Sequence, residues 1–120
     1  ELYLSTYKML QIKKRLFLGQ HNLKKLALEF CFIESIELQG FDYLTNLNEL
    51  NLFSNKIKII NKMTFSEMNS LTKLYLRYNL LELIEDEGFH NLKNLLDLEL
   101  SWNRIKSIKE KTFSGLNNLR

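Results

Sequence analysis

Residues 47–70 read LNELNLFSNKIKIINKMTFSEMNS, and residues 71–94 read LTKLYLRYNLLELIEDEGFHNLKN. Laid one above the other, the two agree at Leu47 and Leu71, Leu50 and Leu74, Leu52 and Leu76, Asn55 and Asn79, Ile60 and Ile84, and Phe65 and Phe89. The interval is 24 residues, and it continues in both directions. Leu26, Leu50, Leu74 and Leu98 form one column; Phe17, Phe41, Phe65, Phe89 and Phe113 form another. One further period towards the start meets Leu2, Leu4, Met9 and Ile12, so the register covers the chain. The unit is L-x-x-L-x-L-x-x-N-x-I-x-x-I-x-x-x-x-F-x-x-L-x-x. Its L-x-L alternation has the period of a strand. The Asn slot that follows needs a group able to donate to and accept from backbone buried between coils, which a side-chain amide does. The wide spacing of Ile, Ile, Phe and Leu returns the chain to its start. Identical strands then stack in parallel, about 4.8 Å apart. No unit buries its apolar residues alone, so stability is a sum over neighbouring coils.

The same columns explain the composition. Of 120 residues, 26 are Leu and 13 are Asn, with no Pro and one Cys. A single Cys excludes an internal disulfide framework and a Cys-rich zinc module. No apolar run reaches the ~18 residues of a membrane-spanning helix, so no membrane insertion is expected of this segment. Cys31 occupies the Asn slot one coil before Asn55, Asn79 and Asn103, which makes it a buried substitute in that slot. Tyr7 stands in the slot of the first coil, and Gln20 replaces the apolar residue found as Leu44, Met68, Leu92 and Leu116. The first coil is therefore expected to be irregular.

The repeat resembles the leucine-rich repeat family in its typical 24-residue class, with Phe in the convex half. The resemblance implies a curved α/β-type solenoid of about five repeats. A parallel sheet would line its concave face, and the convex face would be irregular or short-helical. In the family this class is found mostly in animal extracellular proteins: Toll and Toll-like receptor ectodomains, matrix proteoglycans, and guidance and adhesion proteins. The Cys-rich caps of such proteins are missing from residues 1–120, which are read as a single solenoid segment from inside a longer ectodomain, with receptor dimerisation a property of the whole.

Function is expected in the variable strand positions, because side chains between the Leu anchors face away from the core. Phe30, Phe32, Phe53, Tyr75, Tyr78 and Trp102 fall on or near the concave face, with Arg77 and Arg104 among them. Tyr, Trp and Arg are the types enriched at binding hot spots, and an exposed apolar patch on a stable sheet marks a contact surface. The competing explanation is the strand propensity of aromatics, together with cover from flanking segments. The column Glu1, Lys25, Glu49, Lys73 and Asp97 alternates in sign and is expected to support register.

Enzyme chemistry has no foothold. His21 and His90 fall in different columns, Cys31 has neither a His nor a second Cys in register, and no phosphate-binding glycine loop or nucleophile elbow occurs. No catalytic residue, metal ligand or cofactor site emerges. Charge is uneven. Lys8, Lys13, Lys14, Arg15, Lys24 and Lys25 against Glu1 give +5 over the first 25 residues, so the remainder sums to −2 of the formal +3. A basic end of this kind suits nucleic acid, a sulfated glycan or an acidic protein, and is equally what a solvated loop looks like. No N-x-S/T sequon occurs. The leading expectation is an extracellular or cell-surface recognition module for a protein or pathogen-derived ligand, of innate-immune or developmental signalling type. The alternatives are a matrix or structural spacer, and a cytoplasmic scaffold.

Overall fold

A computed structural model describes all residues from Glu1 to Arg120. Nine short strands follow one another: β1 (Leu2–Tyr3), β2 (Gln11–Ile12), β3 (Lys25–Ala27), β4 (Ser35–Ile36), β5 (Glu49–Asn51), β6 (Ile59–Ile60), β7 (Lys73–Tyr75), β8 (Leu83–Ile84) and β9 (Asp97–Glu99). The odd-numbered strands form one parallel sheet in the order β1-β3-β5-β7-β9, so the chain makes four full turns between its first and last strand. Register steps by the sequence period: Leu26 lies opposite Leu50, Leu50 opposite Leu74, and Leu74 opposite Leu98. The solenoid expected from the repeat is the fold observed. No helix of the chain is long and apolar enough to cross a membrane.

The convex half is irregular and carries no helix, which corrects the short-helical part of the expectation. Its turns close by isolated i to i+3 bonds, such as Leu44 N–H to the Phe41 carbonyl (3.3 Å). Leu47 N–H returns to the Leu44 carbonyl (3.1 Å), and Asn48 N–H then leaves the turn for the Lys24 carbonyl one coil back (2.8 Å). Donors claimed by the neighbouring coil are not available to propagate a helix.

Inside the coil, 25 buried apolar residues form one continuous core. The five Phe residues stack along it at centroid separations of 6.0, 6.0, 6.1 and 6.2 Å, with ring planes within 16° of parallel. Asn55 ties coils together from within. Its Oδ1 accepts from Cys31 N–H (3.1 Å) and Ile33 N–H (3.0 Å), while its Nδ2 donates to the Leu28 and Leu52 carbonyls (2.8 and 3.0 Å). Asn79 and Asn103 repeat three of these four bonds, all but the counterpart of the Cys31 N–H bond, one and two coils on. Cys31 donates its thiol to the Leu4 carbonyl at 3.0 Å, and burial pushes that thiol's pKa up. The first coil departs from the others where expected: Tyr7 and Gln20 are both exposed.

The even-numbered strands pair only as β2 with β4 and β6 with β8. A column of the sequence explains this doubling of the period. Gly40 and Gly88 alternate with Thr64 and Thr112 at 24-residue steps. A Cβ at Gly40 would stand 3.0 Å from Ile12 Cγ2 and 3.1 Å from the Ile12 carbonyl oxygen, so glycine permits the close approach of adjacent coils. In those coils Glu37 N–H reaches the Ile12 carbonyl, and Glu85 N–H reaches the Ile60 carbonyl, both at 2.9 Å. In the alternate coils the equivalent donors turn inward: Asn61 N–H bonds Thr64 Oγ1 (3.0 Å), and Lys109 N–H bonds Thr112 Oγ1 (2.9 Å). A hydroxyl three residues on competes with the ladder and ends it.

Candidate recognition surface

Each strand leaves the sheet in the same way. Thr6, Phe30, Ser54, Tyr78 and Trp102 share one column, and all are left-handed, with φ between 54° and 68°. At this turn Phe30 N–H still donates to the Phe53 carbonyl, and Tyr78 N–H to the Ser101 carbonyl, both at 3.1 Å. The column therefore sits at the carboxyl edge of the concave sheet, held by the last bond of the ladder. Left-handed φ is uncomfortable for a bulky side chain. It lifts the ring away from the core and out over the surface.

The result is a row of four rings across four coils. Phe30 meets Phe53 edge to face (5.3 Å, 77°), Phe53 meets Tyr78 in the same manner (5.6 Å, 81°), and Tyr78 stacks on Trp102 (5.2 Å, 10°). Ser54 occupies the third coil's place in the column, and Phe53 fills the gap from the adjacent position, just past β5. Trp102 is 66% exposed, Phe30 48% and Tyr78 41%. Arg77 lays its guanidinium 5.1 Å from the Tyr78 ring centroid and places Nη1 3.4 Å from Glu99 Oε1.

Of the eight residues expected on this face, five are brought together: Phe30, Phe53, Arg77, Tyr78 and Trp102. Phe32 stands apart from the row, its ring covered at 5.4 Å by Lys56 Nζ. Tyr75 lies half-buried within β7 and has no ring partner. Arg104 is exposed and forms neither an ion pair nor a contact with a ring face. Behind the row, Glu29 gathers the Ser5 hydroxyl (3.0 Å) and the Asn51 amide. The sign-alternating column keeps its register, but only Lys25 and Glu49 approach as an ion pair, at 3.7 Å. Lys8 and Lys56, one coil on either side of Phe32, carry the sequence signal of flanking an aromatic in its own column.

Two overlapping stretches, residues 21–81 and 69–120, match the family model described as leucine rich repeat. The chain belongs to the leucine-rich repeat family. Among solved structures it is similar to the crystal structure of a TLR13–ssRNA13 complex, at 35% sequence identity and a TM-score of 0.94. That alignment covers 98% of this chain and 17% of the TLR13 chain, so this segment spans a small part of its neighbour's length. A search of curated proteins gave no match.

Proposed function

We propose that this segment is part of the ligand-recognition surface of a Toll-like receptor-type ectodomain, extracellular or cell-surface, in innate-immune or developmental signalling. Its ligand is a protein or a pathogen-derived molecule that docks on the aromatic row. The observation that carries this reading is the backbone of Phe30, Tyr78 and Trp102. All three lie beyond the strands at left-handed φ, so strand propensity does not account for them. An aromatic at such a position costs roughly 1–2 kcal/mol of backbone strain, and strain of this kind collects at functional sites. Rings that are costly locally and exposed globally are what a binding hot spot requires.

The double variant Tyr78→Ala/Trp102→Ala in the full-length ectodomain tests it. Immobilised wild-type protein should retain a species from the native extracellular fluid that the variant, matched by circular dichroism, fails to retain. Equal retention by both would remove the row from recognition. Nucleic acid is the second reading, supported by the basic first 25 residues and by the RNA named in the TLR13 complex. Under that reading binding falls steeply as salt rises; a flat salt response rules it out.

A further inference from the structure

A cleft opens where Phe32 meets the coils on either side. Lys8, Leu10, Phe32, Glu34 and Lys56 line a cavity of about 410 Å³. A smaller one of about 180 Å³ adjoins it, with Phe30, Ser54 and Asn55 added to the shared Phe32 and Lys56. Sharing Phe32 and Lys56, the two form a trough whose lining runs from Lys8 to Phe30, where the aromatic row begins. Phe32 is the apolar part of its floor, 48% exposed and held at φ 62°, with Lys56 Nζ 5.4 Å from its ring centroid. Neither lysine takes part in an ion pair, and neither does Glu34. The trough therefore carries two uncompensated ammonium groups and one carboxylate around an apolar floor, a net positive charge beside low-dielectric surface that strengthens its pull on an anion.

We infer that this trough anchors an acidic side chain of a protein ligand whose adjoining apolar residues lie along the row from Phe30 to Trp102. The inference rests on the recognition reading and narrows it to an acidic–apolar polypeptide. Charge favours that occupant over nucleic acid, whose backbone presents a phosphate at every nucleotide. A sulfated glycan presents repeated anions, and here only Lys8 and Lys56 are unpaired around the floor. One carboxylate between two ammonium groups matches in charge, with apolar surface continuing on one side.

Three fluorescein-labelled probes separate the outcomes by anisotropy on the full-length ectodomain: a peptide of alternating Glu and Leu, its Gln–Leu counterpart, and a heparin-derived sulfated oligosaccharide. The Glu–Leu peptide should bind wild type, and Lys8→Ala/Lys56→Ala should weaken it at least about tenfold, to the level of the Gln–Leu peptide. Lys56→Glu should weaken it further while circular dichroism stays unchanged. Failure of the Glu–Leu peptide to bind wild type, equal binding to the lysine variant, or a preference for the oligosaccharide each overturns the inference. Loss in the lysine variant with full binding retained by Tyr78→Ala/Trp102→Ala sinks the row and leaves the trough standing.

Discussion

At the scale of single residues, two columns one position apart do opposite work. The Asn slot looks inward: Asn79 accepts from Ile57 N–H (3.1 Å) and donates to the Leu52 and Leu76 carbonyls (2.9 and 3.1 Å), closing buried backbone of two coils at once. The column before it looks outward and sets Tyr78 at φ 55°. Asn tolerates the left-handed region better than Tyr, so folding alone would prefer a different residue at Tyr78. Tyr78→Asn should therefore leave stability within about 1 kcal/mol of wild type, strain relief offsetting the lost ring contacts with Phe53 and Trp102. Ligand retention should fall sharply in the same protein. Urea unfolding paired with the retention assay checks this; a loss of several kcal/mol would mean that Tyr78 serves the fold. The identity of these aromatics was legible in the sequence. Their φ was not, because Thr6 and Ser54 in the same column give no hint that the position is left-handed.

At the scale of elements, coils associate in pairs on the lateral face. Gly40 and Gly88 let β2 meet β4 and β6 meet β8, and Thr64 and Thr112 end each ladder after its second strand. Glutamates reinforce each pair: Glu37 accepts from Lys14 N–H (2.8 Å) and Glu85 from Lys62 N–H (3.0 Å). At Gly88 an added Cβ would stand 3.2 Å from Ile84 Cγ2 and 3.4 Å from Ile60 Cγ2. Gly88→Ala should cost about 1–3 kcal/mol by crowding Ile84 and the Glu85 carbonyl oxygen, 3.0 Å from the added Cβ, within its own coil. Thr64→Val should cost a similar amount by a different route, orphaning Asn61 N–H. Thermal unfolding measures both, and Gly40→Ala beside them tests the pair approach: its Cβ would meet Ile12 of the neighbouring coil at 3.0 Å, so a neutral Gly40→Ala would show that the approach is not sterically set. Gly40 and Gly88 share a phase in the sequence, but nothing in a 24-residue template reveals that alternate coils differ. The 48-residue pairing emerges only when each backbone donor is followed to its acceptor.

At the scale of the molecule, the repeat reading accounts for the sheet, its register, the Phe stack and the continuous core, because each column is a buried position whose polarity the fold constrains. The surface was less legible. Exposed residues obey no periodic rule, so the sequence grouped Tyr75 and Arg104 with the row, while the structure joins neither to its rings, and Lys8 and Lys56 gained meaning only once the trough between their coils was visible. Under the proposed function, the carboxyl edge of the concave sheet, and not the convex turns, meets the ligand. Site-specific photo-crosslinking in the full-length protein tests that claim most directly, with a benzophenone side chain placed at Tyr78 in one protein and at convex, exposed Glu67 in another. On exposure to extracellular fluid, the ligand source under the proposed function, the probe at Tyr78 should give a crosslinked partner that excess wild-type protein competes away and the Tyr78→Ala/Trp102→Ala variant does not, and the probe at Glu67 should give none. The same partner crosslinked from Glu67, or equal competition by the variant, would contradict the account.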